Sequence, residues 1–105
     1  MLSLKPEVRF HDARQALALI ALVVERAFAD RGFTTVVTSA GDGQHKEGSL
    51  HYTGCALDFR TKHVGDSAQK HAIVARIKTA LPQCDVLFEN EGAPNEHLHV
   101  EYDPK

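Results

Sequence analysis

The chain has 105 residues, which predicts a single domain spanning residues 1–105. Hydrophobic residues make up 43% of it, enough for a modest core and too many for a disordered chain. The balance of 12 basic and 14 acidic residues leaves no basic surface for a phosphate backbone, and the longest apolar stretch, residues 16–24, is too short to span a membrane. We therefore expect no nucleic acid partner and no membrane insertion.

The first predicted element is a helix that begins after Asp12. Asp12 is a good N-cap, and Gln15 stands three residues on, in the capping-box position. Gly32 is a typical C-terminal stop. We expect this helix to be part of the core scaffold, because one apolar stripe runs along it at helical spacing: Ala13, Leu17, Ile20, Val24 and Phe28.

Two strands and a polar loop are predicted next. Residues 33–38 are rich in β-branched side chains and indicate a strand. Residues 39–48 form a loop with three glycines, and Gly54 is expected to make a turn before a second strand at residues 55–59. Polar loops beside rigid strands are common places for functional sites.

The second half of the chain is predicted to contain one helix and two strands, and the sequence has no internal repeat. A helix over Ser67–Ala80 ends before Pro82, and strands follow at residues 85–89 and His97–Tyr102, separated by a loop at residues 90–95. The buried stripe of this helix is predicted to be Ile73, Ile77 and Leu81. The order α, β, β, α, β, β predicts an α+β fold in which two helices pack on one face of a small, mainly antiparallel sheet.

The two cysteines, Cys55 and Cys84, do not make a disulfide framework, and Cys55 is expected to be a buried thiol. The apolar run of the first helix has no convincing cleavage site after it. These features predict a protein that is cytoplasmic at synthesis, without a signal peptide, and we expect a monomer.

A histidine and acid cluster suggests a metal site. His97 and His99 are two residues apart on a strand, so both side chains lie on one face. Asp58 lies in an otherwise apolar strand and needs a partner, which a zinc ion or a salt bridge to Arg60 can provide. With His51, seven residues before Asp58, the chain offers the three protein ligands and one open position that are typical of catalytic zinc.

The spacing of these residues is similar to that of a known family. The stretch Ser49-x-His51-x-x-Gly54-x-Ala56-x-Asp58 resembles the S-x-H-x-x-G-x-A-x-D motif of zinc D-alanyl-D-alanine carboxypeptidases and related peptidoglycan LD-endopeptidases. The second motif of that family is E-x-x-H in some members and H-x-H in others, and this chain has both, as Glu96-x-x-His99 and His97-x-His99. The Hedgehog signalling domain, which shares that fold, has a similar first stretch.

The resemblance implies that His51, Asp58 and His99 hold one zinc ion. It implies that Glu96 is the general base towards a metal-activated water and that His97 lies beside the metal and stabilises the oxyanion. One geometric condition applies: Glu96 is three residues from His99, so on a regular strand it faces away from the metal. If the chain does not turn before His97, then His97 is the better candidate for the base.

Substrate binding is assigned to three further residues. Ser49 is expected to orient ligands or substrate from behind the metal site. Many family members have an arginine before the first motif that holds a substrate carboxylate, and here the loop lacks one, so Lys46 or Arg60 is the candidate replacement.

The predicted function is therefore a zinc peptidase, a D-Ala-D-Ala carboxypeptidase or an endolysin-type endopeptidase, that cuts the stem peptides of bacterial peptidoglycan. Without a signal peptide, such an enzyme would reach the wall after release from the cell, as phage lysis enzymes do. The first alternative is a non-catalytic zinc module of the Hedgehog type that binds a peptide or protein. The second is a hydrolase of the same fold that acts on another small amide.

Overall fold

The computed structural model describes residues 13–41 and 55–102, with side chains described for 15–40 and 56–102. Within these residues there are two helices and four strands in the predicted order. They are α1 (Ala13–Ala29), β1 (Val37–Gly41), β2 (Cys55–Arg60), α2 (Ser67–Ala80), β3 (Cys84–Glu89) and β4 (His97–Tyr102). The prediction of an α+β fold with two helices is confirmed. Neither of these helices is long and apolar enough to cross a membrane.

The strands form one sheet in the order β1-β2-β4-β3, and every neighbouring pair is antiparallel. Strand β4 therefore lies between β2 and β3. Its His99 pairs with Asp58 of β2 on one side and with Leu87 of β3 on the other. In the next row, His97 pairs with Arg60 and Glu89. The register thus brings residues from both predicted motifs onto adjacent strands.

Both helices pack against the sheet, and the core lies between the two layers. Burial alternates along β4, whose Leu98, Val100 and Tyr102 are buried while the residues between them are half-buried. One face of the sheet is therefore covered by the helices, as predicted. The largest fully buried side chains among the described residues are Tyr102, Phe28, Phe59, Ile20, Ile73, Ile77, Leu81, Leu98, Val24, Val64 and Val100.

The predicted helix signals that lie in the described residues are confirmed. Gly32 has a φ of 85°, and the amides of Gly32 and Phe33 donate to the carbonyls of Ala29 and Phe28 at 2.9 and 3.0 Å, which is the Schellman pattern that ends α1. Helix α2 stops two residues before Pro82. The predicted cap of α1, Asp12, lies outside the described residues.

The predicted position of the first strand was wrong by several residues. Residues 33–36 have no regular structure, and β1 extends over Val37–Gly41, into the segment predicted as loop. The carbonyl of Thr34 accepts a hydrogen bond from the ring of His63 at 2.6 Å, and Phe33 packs against the core. Phe33 therefore packs on the core at a corner while Thr34 and Val36 are exposed, and pairing with β2 decides where the strand begins.

Candidate functional site

The uncovered face of the sheet carries the candidate site. Asp58 of β2 and His97 and His99 of β4 lie on it, because they alternate with the buried residues of their strands. All three are half-buried. The site therefore consists of polar side chains that stand on rigid central strands rather than on loops.

The closest contact joins two of the three predicted metal ligands. Asp58 Oδ1 lies 2.7 Å from His99 Nδ1, and the other ring nitrogen, Nε2, lies 3.0 Å from Glu101 Oε1. The imidazole is thus held between two carboxylates. In the described part of the chain no ion pair joins Asp58 to Arg60, so the salt bridge considered as an alternative partner for Asp58 does not form there.

The surroundings of His99 favour its protonated form when no metal is bound. Burial lowers the pKa of His99, but hydrogen bonds with Glu101 and Asp58 and the charges of both carboxylates outweigh burial. The pKa of the ring therefore lies above its ordinary value. A ring between two anions attracts a cation, which can be a proton or a metal ion.

Asp58 and His99 provide two donor atoms of the kinds that a zinc ion binds. Two ligands that each bind a tetrahedral zinc at about 2 Å lie roughly 3.3 Å apart, so an oxygen and a nitrogen already at 2.7 Å need only a small separation to share one. Carboxylate oxygen and imidazole nitrogen are both ligand types that zinc accepts. Within residues 13–41 and 55–102, however, no group of three or more His, Cys, Asp or Glu side chains could hold a metal ion.

The third predicted ligand is not among the described residues. His51 lies in the segment 42–54, together with Ser49 and Lys46, two of the residues assigned to substrate binding. The structure thus brings together Asp58 and His99, while the positions of the other three remain predictions from sequence.

Glu96, the predicted general base, is buried on the side of the sheet that faces α2. It is 5% exposed and continues the alternation of buried residues in β4. One of its oxygens accepts hydrogen bonds from Lys70 Nζ at 2.9 Å and from the Gly92 amide at 3.0 Å. The Thr61 hydroxyl donates to the other oxygen.

This environment stabilises the ionised form of Glu96. Burial raises the pKa of Glu96, but the hydrogen bonds from the Gly92 amide, Thr61 and Lys70 outweigh burial, so the pKa lies below its ordinary value. A carboxylate with a lowered pKa and several donors is a weaker proton acceptor than a free one. The contacts of Glu96 thus join the loop before β4 to α2 and to the end of β2.

His97 lies on the open face, one residue after Glu96. Its Nδ1 donates to the Asn95 carbonyl at 2.9 Å, and its Nε2 lies 3.0 Å from Glu89 Oε1. The hydrogen bond to Asn95 raises the pKa of His97, burial opposes this, and Glu89 raises it further, so the pKa lies above its ordinary value. His97 therefore lies on the open face, and its contacts with Asn95 and Glu89 favour the protonated ring.

An open pocket of about 350 Å³ lies beside these residues. Its lining combines Asp58 and His97 with two basic side chains, Arg60 and Lys62. Both are exposed, and neither makes an ion pair within the described part of the chain. The pocket can therefore accept an anionic group next to the proposed metal position. The full lining is Thr38, Asp58, Arg60, Lys62, Pro94, Asn95, Glu96 and His97.

Four residues around the site were not identified from the sequence: Thr61, Lys62, Lys70 and Glu101. A signal for Lys70 was present, because Lys70 lies one turn before Ile73 and two turns before Ile77 on the buried stripe of α2. A charged residue on a buried stripe needs a partner. Glu101 continues the alternation of His97 and His99, so its position on the same face could also have been predicted.

Comparison of the chain with models of protein families, with curated proteins and with solved structures finds no match in any of the three. The family resemblance therefore depends on the residues of the two motifs.

Proposed function

We propose that the protein is a zinc-dependent peptidase of the Hedgehog and DD-peptidase fold that hydrolyses peptide bonds in the stem peptides of bacterial peptidoglycan. The single observation that carries the proposal is the 2.7 Å contact between Asp58 and His99. These two residues belong to different motifs of the family, and they meet on the open face of the sheet. His51 is proposed as the third ligand.

The zinc ion would act as a Lewis acid that polarises the scissile carbonyl and makes water a better nucleophile. The chain's own residues then have to bind the substrate and move a proton. Arg60 and Lys62 are proposed to hold a carboxylate of the stem peptide, because both line the pocket next to Asp58 and the charge of each is unpaired among the described residues. This places the peptide beside the metal ligands.

In this proposal His97 is the general base. Glu96 is a buried structural residue that anchors the loop before β4 to Thr61 and Lys70. Donation by Thr61, Lys70 and Gly92 weakens Glu96 as a proton acceptor, and its 5% exposure leaves little access to it. His97 can take a proton from the attacking water at Nε2 and return it to the leaving amine. The hydrogen bond from Nδ1 to Asn95 keeps the ring oriented for this exchange.

The second candidate function, a non-catalytic zinc module that binds a peptide, has support from the same observation about Glu96. A carboxylate occupied by three donors suits a structural role, and the pocket would still accept an anionic peptide. For the peptidase, we further propose that the protein reaches the cell wall after release from a phage-infected cell. The binding module needs no such route.

Purified cell-wall sacculi separate the two functions. The zinc-loaded protein is expected to release new amino groups from them, and Asp58→Ala is expected to release none. Leu87→Ala, which alters an exposed residue in the same row of the sheet, is the matched control and should retain release. A wild-type protein that binds zinc but releases no amino groups would refute the peptidase and favour the binding module.

A further inference from the structure

A second open pocket lies between α2 and the loop that joins β3 to β4. Its volume is about 370 Å³, within the range of about 300–1,000 Å³ that is usual for small-molecule sites. Two ammonium groups, of Lys62 and Lys70, line it together with one carboxylate, that of Glu96, so the lining has a formal charge of +1. The full lining is Lys62, Lys70, Gly92, Ala93, Pro94 and Glu96.

The ammonium group of Lys70 has part of its hydrogen-bonding capacity unused. Its Nζ lies 2.9 Å from Glu96 Oε1, and the Lys70 side chain is only 13% exposed. Glu96 is the only side-chain partner of this Nζ within residues 13–41 and 55–102, so two of its three N–H groups are left for a ligand or for water. Because the pair with Glu96 fixes the ammonium group in place, a ligand loses less entropy on binding it.

Glu96 opposes an anion in this pocket less than a free carboxylate would. Its Oε1 also accepts a hydrogen bond from the Gly92 amide at 3.0 Å, and the Thr61 hydroxyl donates to its other oxygen. The negative charge is therefore compensated inside the protein by three donors. Lys62 is exposed and makes no ion pair among the described residues, so its charge is available to a ligand.

We propose that this pocket binds a phosphate group, which Lys62 and Lys70 contact. Arginine holds planar carboxylates through two parallel N–H groups, whereas lysine acts as a point charge that suits phosphate. Arg60 lines the pocket beside Asp58 and does not line this one. A phosphate monoester has a charge of about −1.5 to −2 at pH 7, so it gains more from two ammonium groups than a carboxylate does. The proposed site uses no metal ion and does not depend on the proposed peptidase.

The test is titration of the purified protein with inorganic phosphate, with a phosphate monoester and with acetate, each at the same ionic strength. Backbone amide shifts around Gly92 and Ala93 report on the pocket. Both phosphate compounds are expected to give saturable shifts there, and acetate is expected to bind more weakly. Lys62→Ala should weaken phosphate binding by about 10-fold, as for the loss of one hydrogen bond to a charged group.

Two single variants control for the loss of charge. Lys78→Ala removes an exposed lysine of α2 that does not line the pocket, and Arg60→Ala removes a charge that lines only the pocket beside Asp58. Both should bind phosphate as the wild type does.

Lys70 needs a double variant, because Lys70→Met alone leaves the buried Glu96 without its cation. Lys70→Met combined with Glu96→Gln leaves no unpaired charge and keeps the net charge of the protein. Once its amide spectrum shows that it is folded, it should bind phosphate about 10-fold more weakly than the wild type.

The inference is overturned if Lys62→Ala and Lys78→Ala weaken binding equally, because the effect would then be one of overall charge. It is also overturned if acetate binds as tightly as phosphate or if the shifts lie elsewhere in the protein. Tighter binding of the monoester would assign the pocket to the phosphate group of a larger ligand, and binding of inorganic phosphate alone would assign it to the free ion; both results support the site. None of these results depends on zinc or on peptide hydrolysis.

Discussion

Asp58 and His99 are 41 residues apart in the chain, yet their side chains are 2.7 Å apart because β2 and β4 are neighbours in the sheet. A ligand that binds only the folded protein stabilises it. At a free zinc concentration of 100 times the dissociation constant, zinc should raise the free energy of unfolding by about 2.7 kcal/mol. Denaturant titration with and without zinc measures this increase, and both Asp58→Ala and His99→Ala should abolish it.

The buried pair of Glu96 and Lys70 should couple strongly. Their side chains are 2% and 13% exposed, so little water screens the contact at 2.9 Å. A double-mutant cycle with Glu96→Gln and Lys70→Met is expected to give a coupling free energy of about 1–3 kcal/mol. The more exposed pair of Asp30 and Arg76 at 2.8 Å is the control, and its cycle should give a smaller coupling. Equal couplings would contradict the anchoring role of Glu96.

The Glu96 carboxylate should also make the free energy of unfolding depend on pH. The pKa of Glu96 is lower in the folded protein than in the unfolded chain, so its stabilising contribution is complete above the unfolded pKa. That contribution is lost as the pH falls through the folded pKa. The wild type should therefore exceed Glu96→Gln in free energy of unfolding at pH 7, and the difference should shrink below about pH 4.5. A difference that does not change from pH 7 down to strong acid would show that the ionised form is not what stabilises the fold.

Two substitutions distinguish the base from the anchor. If His97 transfers the proton, His97→Ala should lower kcat by about 10²- to 10⁴-fold with little change in zinc affinity. Glu96→Gln keeps an oxygen for Lys70 and Gly92, so a folded Glu96→Gln variant should lose much less activity. The reverse order of effects on kcat would assign the proton transfer to Glu96.

Arg60 and Lys62, the two basic residues that line the pocket, should affect substrate binding rather than the chemical step. Arg60→Ala and Lys62→Ala are each expected to raise KM by roughly 5- to 10-fold, as for a partly solvated charged hydrogen bond. The assay uses a peptide with a free terminal carboxylate. The matched control is the same peptide with an amidated end, for which both variants should behave like the wild type. An equal rise in KM for both peptides would exclude recognition of the carboxylate.

Much of the fold was readable from local patterns. Helix α2 is found where its periodicity and Pro82 predicted it, and β4 covers the alternating stretch His97–Tyr102. These elements are specified by residues close together in sequence. Their predicted apolar faces are the faces that are buried between the helices and the sheet. Strand β1 was placed too early because residues 33–36 have β-branched character, and only pairing with β2 reveals that the strand starts at Val37.

The site was readable in part. Strand alternation predicted that His97 and His99 share a face, and that Glu96 would face away from the metal unless the chain turned. The chain does turn at residues 91–95, where the Glu96 amide donates to the Ala93 carbonyl at 3.0 Å, yet Glu96 is still buried towards α2. Its partners could not be deduced from spacing. Lys70 is 26 residues away and Thr61 is 35 residues away, so those contacts depend on how α2 packs against the end of the sheet. The cross-strand partners of Asp58 and His99 follow from register, which local patterns do not specify.

The central position of β4 also sets the timing of assembly during synthesis. Strands β2 and β3 are translated first, and neither pairs with the other, because β4 lies between them. A nascent chain that ends before His97 therefore has two unjoined sheet edges and lacks the contact between Asp58 and His99. That contact can form only when residues 97–102 have left the ribosomal tunnel, so incompletely translated chains should be readily cleaved by proteases.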